Sequence, residues 1–446
     1  MLNLIVIVCD TWRRDFVGAY GATEVATPNL DRFAGEAVVF DHAYAGSFPT
    51  LPCRGDLFTG KFVFPYLTWG PLPAGEVVLA EWLSDHRYHT ALVVDNLPVG
   101  RRRYGYDRGF QSRIQIRGQW YDDWAPPGTP VRWPAPKEKF GQPHRVEQYL
   151  RNVAGRRGYE DYFAPRVAEA AIRWLETFGR RGPFYLHIEG FDPHEPWDPP
   201  EECLVEAIPD EHRILYPILG RADRYAPDEL AAIRALYRGE VRMADEAVGR
   251  ILAAIDALGL RENSAVVFMS DHGIFLGEHN LLGKSSPRRE DVNGWPPYVE
   301  AARIPLMMRI PGVAPRRVDA LVQPGDLMPT LLELAGVPPP PTLRGTASLL
   351  PLARGAGVPI RSVAVTSWSY RGWRTTHPSV IRTHDWSLVW WRSGIRPELY
   401  DRRADPNETQ DLFETHREVA RELHARFVEF LKPQPHPFHN YWSRRF

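Results

Sequence analysis

Acidic and imidazole side chains stand directly after several apolar, β-branched runs of this 446-residue chain. Asp10 follows the run 4–8, Asp95 and Asn96 follow 90–94, Asp192 and His194 follow 184–188, and Asp271 and His272 follow 265–269. In open α/β sheets ligands bind beyond the carboxyl ends of the strands, so these groups are candidates to converge. Singly, each is an ordinary cap or turn former. Together, Asp10, Asp271 and His272 make an oxygen-and-imidazole set suited to a divalent ion such as Mn²⁺, Mg²⁺, Ca²⁺ or Zn²⁺.

The segment 47–60, Ser-Phe-Pro-Thr-Leu-Pro-Cys-Arg-Gly-Asp-Leu-Phe-Thr-Gly, is the most specific. A helix beginning just after Thr50 sets its hydroxyl at an N-terminus, where the dipole and free N–H groups favour an anion. Arg54, one turn on, then faces the same way. The pair reads as a nucleophile with its charge clamp; the plainer alternative is an N-capping threonine and a surface arginine. The chain has only five lysines among its 54 basic residues, so a lysine in a site is informative. The run Arg101–Arg103, by contrast, reads as a solvated face.

The runs 4–8, 90–94, 184–188, 265–269 and 305–310 are the strands that must position these groups. Helices are expected at 164–178 and at 242–258, where Met243, Ala247, Ile251, Ala254, Ile255 and Leu258 keep a 3.6-residue period. Another starts at Thr27-Pro28, with Thr27 as N-cap and Pro28 in the first turn. The alternation predicts an α/β fold with a mainly parallel central sheet flanked by helices. A proline run at 337–342 and a loop at 352–359 precede a tail of different texture. There 361–368 and 379–391 read as strands and 416–431 as a closing helix. The expected organisation is a catalytic domain at 1–355 and a small α+β subdomain at 356–446. Residues 97–160, rich in Arg, Trp, Pro and Gly, read as an excursion over the sheet edge. The end, 435–446, reads as a surface strap or a contact to a second subunit, with a homo-oligomer left open.

Composition excludes several roles. With 54 basic against 55 acidic residues, no global field draws the chain to nucleic acid or acidic lipid. Its 42 prolines and 15 tryptophans indicate long ordered loops. Cys9, Cys53 and Cys203 are too few and scattered for a disulfide framework, which suits a reducing compartment. The N-terminal apolar run lacks the flank and cleavage site of a signal peptide, and no stretch reaches the ~20 apolar residues of a membrane span. The expectation is a cytoplasmic protein that binds neither membrane nor nucleic acid.

Motifs run along most of the chain: Asp10-Thr-Trp-Arg13, Thr27-Pro-Asn-Leu-Asp31, the 50–60 block, Tyr88-His-Thr-Ala-Leu92, Pro193-His-Glu-Pro196, Ser270-Asp-His-Gly-Ile-Phe-Leu-Gly-Glu-His279, Gly283-Lys284, Glu398-Leu-Tyr-Asp401 and Asp405-Pro-Asn-Glu408. Through them, over roughly 1–415, the chain resembles the sulfatase branch of the alkaline phosphatase superfamily, and above all its phosphonate monoester hydrolase and phosphodiesterase relatives. The resemblance implies one divalent metal ion held by Asp10, Asp271, His272 and the nucleophile. It implies Arg54, His194 and Lys284 as the catalytic groups around the anion, and Asn96 and His279 as substrate-binding residues. His272 stands where many sulfatases have Asn, which favours the phosphonate hydrolase type of metal set, with Mn²⁺ the preferred ion.

The chain departs from the family pattern at three places. Matching Pro52, Arg54 and Thr59-Gly60 sets Thr50 where the family carries, in Cys-x-Pro-x-Arg, the cysteine oxidised to formylglycine. Cys53, with Gly55 and Leu57 after it, does not fit that pattern. Thr11 replaces the Asp or Gln after the first metal-binding Asp, leaving the fourth ligand open, and Asp95-Asn96 stand where sulfatases often show Lys and His. A formylglycine hydrate expels sulfate by breaking C–O. A threonine sulfate has no second hydroxyl to drive that step, whereas a phosphothreonine can be hydrolysed at phosphorus. The expectation is a metal-dependent hydrolase of small anionic esters, phosphate or phosphonate mono- and diesters. Thr50 is its nucleophile, the intermediate a covalent phospho-enzyme, and His194 or Lys284 the acid. The alternatives are a sulfatase with an atypical threonine and an inactive anion-binding homologue.

Overall fold

The run Leu-Ile-Val-Ile-Val, whose branched side chains suit a pleat covered on both faces, forms the strand Asn3–Cys9 inside an eight-stranded sheet. The computed structural model describes residues 1–285, 294–369, 378–391 and 395–434. Across the sheet the order is Arg316–Val322, Val38–Ala43, Leu306–Arg309, Ser264–Ser270, Asn3–Cys9, Phe184–Gly190, His89–Val94 and Ser112–Gln115. Neighbours pair in parallel except at Leu306–Arg309, which runs antiparallel to both of its neighbours. All five strands expected from sequence are present, and the sheet is mainly parallel with helices on both faces.

Alternate residues of Asn3–Cys9 feed two separate cores. Ile5, Ile7 and Cys9 pack with Trp174, Ile251 and Ile255 from the helices Phe163–Phe178 and Pro227–Ala257. Leu4, Val6 and Val8 pack on the other face with Leu83 and Leu331, from Leu79–Asp85 and Leu327–Ala335. Each such side chain is worth about 1.5–3 kcal/mol in burial, so this strand is the least movable part of the molecule.

Two helix readings are corrected. The helix seen from 242 begins a full fifteen residues earlier, at Pro227, where Glu229 Oε2 accepts from the Ala226 N–H at 2.9 Å and secures the first turn. Thr27 precedes Pro28–Ala34 as expected, but its side chain does not cap it: Thr27 Oγ1 accepts from Gly18 N at 2.8 Å. The free N–H groups of Asn29 and Leu30 instead donate to the Asp245 carboxylate, at 3.1 and 2.9 Å. One helix thus caps another.

The C-terminal part forms a five-stranded sheet ordered Glu398–Asp401, Trp386–Trp391, Pro378–Arg382, Ala364–Trp368 and Ser47–Phe48. The stretch read as one strand at 379–391 is a hairpin, because Thr383 Oγ1 accepts from the N–H groups of Asp385 and Trp386 at 3.3 and 3.0 Å and turns the chain. The helix Arg417–Leu431 covers the sheet through Leu423, Phe427 and Leu431, packed with Ile381 and Leu388. The segment 435–446 lies outside the described residues. Among those described, no helix is long and apolar enough to cross a membrane.

The fifth strand, Ser47–Phe48, comes from the other end of the chain and pairs in parallel with Ser367 and Trp368. Asp56, buried in the following helix Thr50–Thr59, accepts from Ser47 N at 2.7 Å, Ser47 Oγ at 2.5 Å and Val63 N at 2.8 Å. It ties strand, helix and loop into one unit. Asp56→Ala strands these buried donors, at about 1–3 kcal/mol for each N–H left unpaired. The expected result is a lower urea midpoint at unchanged slope; an unchanged midpoint would show that the tie contributes nothing.

Candidate active site

Ser264–Ser270 and Asn3–Cys9 lie side by side in parallel, with Cys9 opposite Ser270, so the residues that follow them must emerge together. Asp10, Asp271 and His272 are fully buried, and one ligand atom from each lies within 4.8 Å of the others. His272 Nδ1 donates to Gly273 O at 2.8 Å, which leaves the Nε2 lone pair free. Nε2 sits 3.4 Å from Asp271 Oδ2 and 3.2 Å from Thr50 Oγ1. Burial pushes the His272 pKa below its ordinary value, toward the neutral form that ligates. Two carboxylates and an oriented neutral imidazole fit a divalent cation.

The helix expected just after Thr50 starts one residue earlier, at Thr50 itself, so the hydroxyl lies at the N-terminus without capping it. Arg54, one turn later, donates through Nη1 to Thr50 O at 3.2 Å and to Asp271 Oδ2, and through Nε and Nη2 to Glu189 Oε2 at 2.9 and 2.8 Å. Its Nη2 is also 3.3 Å from Asp10 Oδ2. At 1 % exposure the guanidinium lies behind Thr50, tied to three carboxylates, rather than open on the cleft. Burial would raise the Glu189 carboxyl, but Arg54 and His187 hold it below its usual range.

Glu189 belongs to a relay that sequence reasoning missed. Its Oε1 is 2.8 Å from His187 Nε2, and His187 Nδ1 is 2.9 Å from the Tyr185 hydroxyl. The signal was the alternation Tyr-x-His-x-Glu, which places three polar groups on one face of a strand read as uniformly apolar.

Thr11 knits the other side together. It is a β-branched residue in the left-handed region, at φ 65°, a strain of about 1–3 kcal/mol that its surroundings must hold. Its N–H donates to Asp271 Oδ1 at 2.9 Å, its hydroxyl donates to Asp10 Oδ1 at 2.5 Å, and its carbonyl accepts from the Tyr237 hydroxyl at 2.9 Å. Lys284 Nζ donates to Thr11 Oγ1 at 3.0 Å and lies 3.9 Å from Asp10 Oδ1. Against desolvation, Arg54 and Lys284 hold the Asp10 carboxyl well below its usual range. Asn96, expected to bind substrate, donates instead to Asp10 Oδ2 at 2.9 Å and is fully buried.

A cleft of about 700 Å³ opens over Thr50, Lys284 and His194, walled by Phe48, Trp69, Trp120, Tyr121, Phe191, Tyr216 and Trp368. His194 stacks on Phe191 at 4.1 Å, and its Nδ1 donates to Glu195 O at 2.6 Å. His279 does not line this cleft. It lines a second cavity of about 630 Å³, stacked on Tyr298 at 4.0 Å, with Nε2 3.3 Å from Glu300 Oε2. Cys53 is buried and its Sγ donates to Asp271 O at 3.1 Å.

His42, Asp319 and His384 form another group of metal-ligating types. There Arg303 Nη2 donates to His42 Nδ1 at 3.3 Å, so the neutral ring keeps its proton on Nε2, 2.8 Å from Asp319 Oδ1. That geometry is a hydrogen bond between neighbouring strands of the central sheet, with no lone pair left on His42 for an ion.

Known proteins resemble this chain over nearly its whole length. The description "Sulfatase" matches residues 2–337, and "N-sulphoglucosamine sulphohydrolase, C-terminal" matches residues 297–432. The "Uncharacterized sulfatase YidJ" of Escherichia coli (strain K12) is 26 % identical over 486 residues, spanning 99 % of this chain and 90 % of that protein. The crystal structure of the phosphonate monoester hydrolase of Agrobacterium radiobacter superposes with a TM-score of 0.74 at 22 % identity, covering 96 % of this chain and 95 % of the other. The phosphonate monoester hydrolase SpPMH from Silicibacter pomeroyi gives 0.73 at 18 %, covering 97 % and 95 %.

Beneath the cleft, Asp192 accepts from Gln119 Nε2 at 3.1 Å and Ala164 N at 3.0 Å, while Asp95 accepts from Phe191 N at 2.7 Å. Burial raises both carboxyls, Asp192 to about 7. A carboxyl raised on folding contributes stability that is complete below its unfolded value near pH 4 and is lost as pH rises toward 7. Asp192→Asn keeps one of the two acceptor oxygens and removes that titration. Urea denaturation at about pH 5 and about pH 8 should show a smaller loss between the two for the variant than for the wild type; equal losses refute the assignment.

Proposed function

The chain belongs to the sulfatase family of ester-bond hydrolases, and within it we propose a metal-dependent hydrolase of phosphate or phosphonate mono- and diesters, with Thr50 as nucleophile. The observation that carries this is the Thr50 hydroxyl itself. It stands at a helix start, 3.2 Å from His272 Nε2, and opens on a cleft that also holds Lys284 and His194. A threonine has one hydroxyl, so no geminal oxygen exists to expel a sulfate by C–O cleavage; release must come by attack of water at the central atom, which phosphorus permits.

Asp10, Asp271, His272 and Thr50 would hold the ion, for which Mn²⁺ suits the mixed oxygen and nitrogen donors; when bound it supplies Lewis-acid stabilisation to the Thr50 oxygen and to the ester. Thr50 releases its proton to water and attacks phosphorus in line, and the bond from phosphorus to the leaving oxygen breaks. The helix N-terminus and the Arg54 charge behind Thr50 favour the negative charge that accumulates. Water then attacks phosphorus, the bond to Thr50 Oγ1 breaks, and Thr50 and the acid are reprotonated.

Lys284 is the better proton source for the leaving oxygen. His194 spends its Nδ1 proton on Glu195 O, so the neutral ring offers only an acceptor at Nε2, whereas the Lys284 ammonium has donors to spare beyond Thr11. Esters of sulfate are the second reading, favoured by the E. coli relative named as a sulfatase. The two phosphonate monoester hydrolases hydrolyse their phosphorus esters on the same fold.

Purified protein loaded in turn with Mn²⁺, Zn²⁺, Mg²⁺ and Ca²⁺ should turn over p-nitrophenyl phosphate, its bis-ester and p-nitrophenyl phenylphosphonate faster than p-nitrophenyl sulfate. Thr50→Ala should lower that activity by about 10³-fold or more, and acid quenching should trap a phosphorylated Thr50 peptide. Dominant sulfate turnover with Thr50 unmodified would reverse the assignment. Lys284→Met should cost about 10²-fold on alkyl esters, which need the proton, and much less on p-nitrophenyl esters, which leave unaided. Equal losses on both would make Lys284 a binding group only.

A further inference from the structure

The sheet positions the reacting groups, but one wall of the cleft comes from the excursion 97–160, and it carries an arginine that has no acidic partner among the described residues. Arg145 lies near the start of the helix Pro143–Val153 and lines the same cleft as Thr50, His194 and Lys284. Its guanidinium sits over the Tyr121 ring at 4.3 Å and the Trp120 ring at 5.4 Å. Among the described residues no carboxylate pairs with it, although the chain pairs most of its other partly buried arginines. Among the described residues lining the cleft it is the one guanidinium. Of the other charged groups there, Lys284 is engaged with Thr11 and Asp10, while Glu195 Oε2 lies 3.2 Å from His194 Nδ1, whose proton goes to Glu195 O.

The stacking surface beneath Arg145 is built rather than incidental. Trp120 is held in the left-handed region at φ 53°, which a bulky side chain adopts only under constraint. The constraint is Gln119, whose Oε1 accepts the Trp120 N–H at 2.9 Å while its Nε2 donates to the buried Asp192 at 3.1 Å. Trp120 packs edgewise on Tyr121 at 4.3 Å and lies 5.8 Å from the His194 ring. Strained backbone, an anchored loop and stacked rings thus fix a guanidinium face in the cleft, with Trp368 among the aromatic side chains that line it. A planar fork of that kind, stacked and unpaired, is the arrangement that captures an oxyanion.

We propose that Arg145 is a specificity determinant that holds a second negatively charged group, a carboxylate or a further phosphate or sulfate, on the alcohol portion of the substrate, whose ring or chain lies against Trp120, Tyr121 and Trp368. The preferred substrates are then esters of anionic alcohols. This rests on the hydrolytic reading of the same cleft, and adds the identity of what leaves.

The test compares phenyl and carboxyphenyl esters, meta and para, of whichever acid the wild type hydrolyses, with product followed by chromatography. Wild type should favour a carboxyphenyl ester by about tenfold in kcat/KM, carried mostly by KM, as one charged contact provides. Arg145→Met should abolish that ratio and Arg145→Lys should keep part of it. The ratio is read within each preparation, so a general loss of activity does not mimic the effect. Binding of the phenol and hydroxybenzoate products by calorimetry decides the matter if no ester is turned over, which would count against the hydrolytic reading alone. Tighter binding of hydroxybenzoate to wild type that disappears in Arg145→Met supports the proposal. Absence of any preference in wild type, or its persistence in Arg145→Met, overturns it.

Discussion

Three carboxylates from three different strand ends or strands, Asp10, Glu189 and Asp271, are gathered around one buried guanidinium, Arg54. Removing such charges from water costs several kcal/mol per ion, which only close pairing offsets. On formal charges the three acids exceed Arg54 and Lys284 by one, so the cluster is left short of positive charge where Asp10, Asp271 and His272 point their ligand atoms together. A divalent cation reverses that sign, turning a site with a negative excess into one that attracts an anionic ester. The same Arg54 ties the helix of Thr50 to the central strands, so the docking of that helix and the pairing of the buried charges depend on each other.

That coupling explains the reach of the C-terminal sheet. Ser47–Phe48 is claimed as its edge strand, while Asp56, on the helix that carries Thr50, binds Ser47 from below. Thr50 is therefore gripped from the C-terminal sheet on one side and from the Arg54 cluster on the other. Neither grip is local in sequence: Ser367 pairs with Ser47 across the whole chain, and Glu189 meets Arg54 from another strand.

What the sequence disclosed follows from the same physics. Strand ends are legible because a β-branched run stops abruptly at a polar residue, and so Asp10, Asp271 and His272 were found by pattern, with Thr50 and Lys284 found through motif spacing. Glu189 escaped because its strand was judged by hydropathy rather than by the two-residue period that puts Tyr185, His187 and Glu189 on one face. The reversal of Leu306–Arg309 escaped because a buried strand has the same composition in either direction. Asn96 was placed by its strand end and by resemblance, His279 by resemblance alone, and both signals fix position in the chain, not the direction of the side chain: one turned inward to Asp10, the other into the second cavity.

Trp120 and Arg145 were illegible for a deeper reason. No period or cap marks them, since their arrangement depends on Gln119 bridging to Asp192, a contact between loop and sheet that no local pattern encodes. This divides the labour within the cleft. The strand ends and the helix of Thr50 are fixed by two cores and a charge cluster, so the bond-breaking chemistry tolerates little change. The excursion that supplies Trp120, Tyr121 and Arg145 joins the sheet through Ser112–Gln115 and the core through Phe140, Val146 and Tyr149, while its cleft-facing groups meet one another rather than Asp10 or Arg54. On the proposal made for Arg145, selectivity for the leaving alcohol rests on a loop face and not on the strand ends that carry the ligand set.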